Sequence, residues 1–196
     1  MKINGFAKRL QNLISNTGSE WIIIEKEGQE WRRVFTSHAL PLILLMGFSY
    51  LVGYIIFTDQ LIYSMGYILI SSLTEMIIAV AGTLITGYLV NELAPGFKGK
   101  KNLNASMKLV IFSFTAYYVS YSLAGLIQPM HILQLGALYS IYLYWYGCDS
   151  LMFIPADQKT GFVALSALLM IVIFSLLNLI SIFLFSDIML LTISQM

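Results

Sequence analysis

The chain has 196 residues, 58% of them hydrophobic and only 11% charged, with a mean hydropathy of +0.79. Soluble domains carry about 25% charged residues, so this composition excludes an ordinary soluble domain and points to the membrane. A net charge of +1 gives no footprint for a nucleic-acid partner, and a single cysteine excludes both an internal disulfide and a cysteine-built metal cage.

Residues 1–15 predict an amphipathic helix. Ile3, Phe6, Ala7, Leu10, Leu13 and Ile14 recur at helical spacing, opposite Lys2, Lys8, Arg9, Gln11 and Asn12. Such a helix either lies in the headgroup plane or packs on the protein's own surface. Residues 16–19 (NTGS) break it. Thr17 and Glu20 have the spacing of a capping box for a second helix, with Trp21, Ile24 and Trp31 as apolar anchors. Arg32 and Arg33 stand just before the first long apolar run. The first 36 residues contain no apolar leader core, so that run reads as a retained span.

The first span covers residues 37–57, with Pro41 near its start. About twenty residues at ~1.5 Å each cross a hydrocarbon core of about 30 Å. A turn at 58–60, containing Asp59, leads to the second span at 67–90. There Ala79, Thr83 and Gly87 form a small-residue stripe that admits another helix closely. Glu75 lies in the same span, with Ser71 and Ser72 one turn earlier. The loop NELAPGFKGKKNLN (91–104) carries Lys98, Lys100 and Lys101, and Lys108 follows it. The third span, 108–127, carries Tyr117, Tyr118 and Tyr121. A tight turn at 128–131 leads to the fourth, 132–152, with Gly136 and Ser140 as a second small-residue stripe and Tyr139, Tyr142 and Tyr146 on one face. The loop 147–161 holds Cys148, Asp149, Asp157 and Lys159. The fifth span, 162–185, carries Ser175, Asn178 and Ser181 as a polar stripe expected to face inward, and the tail 186–196 has one charge, Asp187.

The expected fold is therefore an all-α membrane protein: a cytoplasmic amphipathic segment at 1–36, a five-span helical bundle at 37–185 and an extracytoplasmic tail at 186–196. Of the eleven Lys and Arg, six precede the first span, four lie in or beside the 91–104 loop and one lies in the 147–161 loop. Positive charge collects on the cytoplasmic side. This places the amino terminus in the cytoplasm and the carboxyl terminus outside.

Glu75 is the one carboxylate set clearly inside hydrocarbon, where such a group costs about 2.5–3.5 kcal/mol. It is either a proton or cation site or a neutral acid bonded to Ser71, Thr83 or a neighbouring helix. The six tyrosines of the third and fourth spans either line a ligand cavity or pack the bundle. Lys98, Lys100 and Lys101 attract anionic lipid or simply set topology. Asp149 and Asp157, with Lys159, form either a binding loop for a cytoplasmic partner or a solvated turn. Cys148 is either small filler or a lipidated or reactive thiol near the inner surface. The small-residue stripes offer a route to a homo-oligomer. No HExxH, GxSxG or Walker loop is present, so the expectation is a non-enzyme without cofactor or metal.

Three segments carry a resemblance: WIIIEKEG with the His38-Ala39-Leu40-Pro41 entry to the first span, NELAPGFKGKKNLNASMKLVIFSFTAYYVS, and LYSIYLYWYGCDSLMFIPADQKTGF. In order, spacing and five-span plan they resemble the bacterial branch of the Yip family of Ypt/Rab-interacting membrane proteins. The resemblance implies a helical bundle with a cytoplasmic amino terminus. Eukaryotic members are adaptors that bind prenylated small GTPases and one another; bacterial members have no settled activity. Two places depart from the family pattern: Phe114-Thr115-Ala116-Tyr117 lacks the usual proline, and the fourth-span exit reads Gly147-Cys148-Asp149 rather than Gly-x-Pro. Glu75 matches no charged position of the family. The functional expectation is a scaffold or adaptor of the inner membrane; the alternative is a small transporter or channel that uses Glu75.

Overall fold

The computed structural model describes residues 3–57 and 65–194, with side chains for 6–57 and 65–184. The turn at 58–60 with Asp59 lies outside the described residues, and so do the side chains of Lys2, Ile3 and Asp187. The chain runs through α1 (Ile3–Ser15), α2 (Thr17–Lys26), α3 (Trp31–Val34), a π-helical turn (Phe35–Ala39), α4 (Leu40–Phe57) and α5 (Met65–Leu93). After a 3₁₀ turn (Ala94–Phe97) come α6 (Leu103–Ser113) and α7 (Thr115–Leu126). A 3₁₀ segment (His131–Leu138) then leads to α8 (Tyr139–Leu151) and α9 (Ala156–Ser194).

Among the described residues, four helical runs are long and apolar enough to cross a membrane: Trp31–Phe57, Met65–Phe97, Leu103–Leu126 and Ala156–Leu184. The expected fourth span at 132–152 is not among them. It is divided between the 3₁₀ segment and α8, whose Tyr139, Tyr142, Tyr144 and Tyr146 dilute its apolar character.

The core runs along α6 and α7, where Leu109, Val110, Ile111 and Tyr118 are fully buried. This axis packs on α4, α5 and α8. It carries two backbone irregularities. Pro41 has no amide to give the preceding turn. The helix widens just before it, and Leu40 N–H bonds the Phe35 carbonyl five residues back. The α6–α7 axis breaks at Phe114 (φ −73°, ψ 0°). The two irregularities meet: buried His38 in the widened turn shares a 2.9 Å hydrogen bond with Thr115 Oγ1 at the break. Thr115→Val keeps the shape and leaves His38 Nε2 without a partner. Thermal unfolding in detergent should show a loss of about 1–3 kcal/mol, with Thr115→Ser close to wild type. Equal melting of Thr115→Val and wild type would mean that the bond contributes nothing.

The small-residue stripes are used inside the chain. Ala79 and Thr83 are fully buried, Thr83 bonds Tyr118 Oη at 2.6 Å, and Gly87 lies against Met107. Gly136 lies against Ser120, and the Ser140 hydroxyl accepts the Tyr117 amide at 3.1 Å. The expected homo-oligomer contact through these faces is therefore corrected: a neighbouring helix of the same chain already occupies each. The polar stripe on α9 is corrected in part: Ser175 is exposed, whereas Asn178 borders a cavity between the helices. Asn178 Nδ2 donates to the Phe174 carbonyl and Ser181 Oγ to the Asn178 carbonyl, so these donors are satisfied by their own helix.

The amino-terminal helices pack on the protein. Leu13, Trp21 and Ile24 are buried, Phe6 meets the His38 ring at 5.5 Å, and Trp21 stands edge-on to Phe112 at 6.1 Å. Tyr139 Oη on α8 donates to the Ile14 carbonyl at 3.1 Å. Of the face expected for α1, Ile14 itself is exposed. The capping box does not form. Thr17 Oγ1 donates back to the Leu13 carbonyl, and Glu20 instead accepts from Asn12 Nδ2 at 2.8 Å and pairs with Arg9 at 3.2 Å. α2 follows α1 after a single residue, and the Glu20 amide, which the box would need for Thr17, already bonds the Asn16 carbonyl four residues back. Arg9 also binds Glu27 and lies over the Phe112 ring, 5.6 Å from its centroid. Gly28, at φ +60°, ends the segment in a conformation that favours glycine.

Candidate functional site

Two places gather the residues singled out from the sequence. The first is a cavity of about 570 Å³ between α4, α5, α7, the 3₁₀ segment 131–138, α8 and α9. Glu75 lines it, and so do Tyr117 and Tyr121. Tyr50 of α4 joins them, placed by the close crossing of α4 on α7, where its ring packs on Gly125. Sequence reasoning missed Tyr50, which sits in a span with no polar pattern. The other tyrosines go elsewhere. Tyr118 is buried against Thr83, while Tyr139, Tyr142 and Tyr146 form a ladder along α8 with centroids 4.9 Å apart.

Glu75 is half-buried and lies within electrostatic reach of the Tyr50, Tyr117 and Tyr121 hydroxyls. The expected bond to Thr83 is not made, because Thr83 Oγ1 is taken by Tyr118 and the Ala79 carbonyl. Ser72 turns away to donate to the Gly47 carbonyl at 2.5 Å. Among the described residues no Lys or Arg pairs with Glu75. Gln134 lines the cavity with Tyr50.

The second place is polar. Lys98 reaches Asp157 at 3.5 Å, joining the 91–104 loop to the start of α9. Lys159 reaches Asp149 at 2.6 Å and lies over the Trp145 ring, joining α8 to α9. Lys101 bonds Glu92 at 2.5 Å, and Lys100 is exposed. The Trp31 amide donates to Asn104 Oδ1 at 2.6 Å, and Asn104 Nδ2 donates to the Gln29 carbonyl at 3.2 Å. The amino-terminal segment is thus fastened to the same face. The exposed pair Lys98–Asp157 adds little stability; it records which loops are neighbours. Cys148 is fully buried beneath this face. Among the described residues no three His, Cys, Asp or Glu are grouped to hold a metal.

Long apolar helices around one buried axis, with a small polar face, define a multi-pass helical membrane protein. A family model described as the Yip1 domain matches residues 12–177, and the chain belongs to that family. No curated protein matches the chain, and no solved structure does.

Proposed function

We propose that the chain is a non-enzymatic scaffold or adaptor of the cytoplasmic (inner) membrane, in the bacterial branch of its family, that holds a protein partner at its cytoplasmic face. The observation that carries this is the polar face itself. Three separate segments meet there, joined by the Asn104–Trp31 bond and the Lys159–Asp149 pair and with Lys98 beside Asp157, so Lys100 and its neighbours stand on one shared surface. All eleven Lys and Arg lie in or beside these three segments, and the positive-inside rule makes the face cytoplasmic.

That orientation requires five crossings. Beside the four long helical runs, the remaining crossing, fourth in chain order, is the composite of the 3₁₀ segment His131–Leu138 and α8. At about 2.0 Å per residue in the first part and about 1.5 Å in the second it extends about 35 Å, enough for a core of about 30 Å. The sequence carries no recognised catalytic motif, and no chemistry is assigned. A second reading, a small transporter or channel, is favoured by one observation: Glu75 lines a cavity inside the bundle.

Cysteine labelling and cross-linking in native membranes test the proposal. Lys100→Cys should be shielded from a membrane-impermeant maleimide in intact cells, whereas Met130→Cys in the opposite turn should react. A photo-cross-linker at position 100 should give discrete protein adducts that disappear with Lys98→Glu and Lys101→Glu. Reversed labelling would overturn the orientation. No adducts, together with proton or monovalent-cation flux in liposomes that Glu75→Gln abolishes, would replace the scaffold with the transporter.

A further inference from the structure

The cavity beside Glu75 has a chemistry that the scaffold proposal leaves unused. Its volume of about 570 Å³ falls in the range of small-molecule sites, ~300–1,000 Å³. Phe114, Tyr117, Tyr121 and Phe174 form one contiguous aromatic wall. Tyr117 lies 4.5 Å from Tyr121 and 5.0 Å from Phe174, and Phe174 lies 5.6 Å from Phe114. Against this wall stands a single carboxylate, Glu75, with no ion pair or hydrogen bond among the described residues. Aromatic faces carry negative electrostatic potential and attract cations, most effectively where water is excluded. Glu75 adds a full negative charge on ionisation. The carboxylate and the ring faces together therefore favour a positive guest over an anion.

The kind of cation follows from the rest of the lining. A hard metal ion asks for six to eight oxygen ligands at short range. Here the polar groups beyond Glu75 are spread among tyrosine hydroxyls, Gln134, Ser140 and Asn178, and most of the wall is carbon. The outer edge is apolar too. Leu135 and Leu138 on the 3₁₀ segment are 61% and 64% exposed, and Ile171 on α9 is 62% exposed. In a bilayer that edge meets acyl chains.

We infer that the cavity between Glu75 and the Tyr117–Tyr121–Phe174 wall binds one organic cation with an apolar tail, an amine or quaternary ammonium. Its charge rests on Glu75 and the ring faces, and its tail leaves between the 131–138 segment and α9. The inference stands whether the chain acts as a scaffold or as a carrier, because it concerns occupancy and not passage.

The test uses the full chain in lipid nanodiscs, titrated calorimetrically with hexyltrimethylammonium. Hexanesulfonate, with the same alkyl length and the opposite charge, is the control, and empty nanodiscs supply the baseline. Saturable binding of one cation per chain is expected, with none of the sulfonate. Glu75→Gln keeps side-chain volume and should weaken binding by about tenfold or more. Tyr117→Leu should weaken it about two- to thirtyfold, while Tyr117→Phe, which keeps the ring, should stay within about twofold. No saturable heat above the baseline, equal binding of the sulfonate, or Glu75→Gln binding like wild type would each overturn the inference. Should Glu75→Gln lose its fold, the Tyr117 pair decides: Leu and Phe variants of equal affinity would also overturn it.

Discussion

Gly53→Ala is expected to destabilise the chain although alanine is the better helix former. A methyl group at Gly53 would point straight at the Gly125 carbonyl oxygen of α7 and also meet the Gln128 side chain at 3.2 Å. The first obstacle is backbone and cannot rotate aside, so α4 and α7 would have to separate. Overpacking of this kind costs about 1–3 kcal/mol and occasionally more, against a gain of about 1 kcal/mol in helix propensity. The cost also spreads, because α4 and α7 form the most extensive helix pair in the bundle and Tyr50, packed on Gly125, lines the cavity. Because the obstacle is backbone, the cost should fall at the upper end of that range, and thermal unfolding in detergent should show a net loss of about 1–2 kcal/mol. Gly96→Ala is the control, since a methyl there meets nothing within 4 Å. Equal melting temperatures for the two variants would mean that the crossing is looser than described.

Much of the architecture was legible in local sequence. Apolar runs marked α4, α5 and α9, because length and hydropathy alone define such helices. The lysine-rich loop marked one polar end. Glu75, Tyr117 and Tyr121 stood out as residue types rare or periodic inside a span, and the fold brings them together. What was illegible depended on long-range partners. No glycine or proline announces the break at Phe114; beside it Thr115 bonds a histidine 77 positions earlier, a partner that local sequence does not reveal. The proline that the family pattern places near there is absent, yet the helix breaks all the same. Small-residue stripes correctly signalled close approach, but spacing does not say whether the approaching helix belongs to the same chain. Serines and an asparagine at three-residue spacing on α9 suggested an inward face; Asn178 does border the cavity, but Ser175 is exposed, and Asn178 and Ser181 donate to their own helix backbone.

The same limit applied to the amino-terminal segment, whose amphipathic pattern suits a lipid surface and a protein surface equally. Trp21 distinguishes them. Its ring is fully buried, edge-on to Phe112 and beside Gly147, where even a methyl group would come within 2.8 Å of it. Trp21→Ala removes the largest side chain from that contact, at a cost of about 3–5 kcal/mol. Few other α2 side chains are buried (Thr17, Glu20 and Ile24), so the loss falls on the local attachment of α1 and α2 and not on the membrane helices. Trypsin cleavage at Arg9 and Lys26 in nanodiscs should accelerate by about a hundredfold or more, while the circular dichroism of the spans stays unchanged. Trp21→Phe should lie between the two. Were the segment held by lipid, the bilayer would protect it in all three proteins and the cleavage rates would coincide. The effect reaches the polar face as well: the chain leaving α2 is joined to it by the Asn104 bonds to Trp31 and Gln29. Freeing α1 and α2 should therefore also loosen the surface on which Lys100 stands and reduce its cross-links.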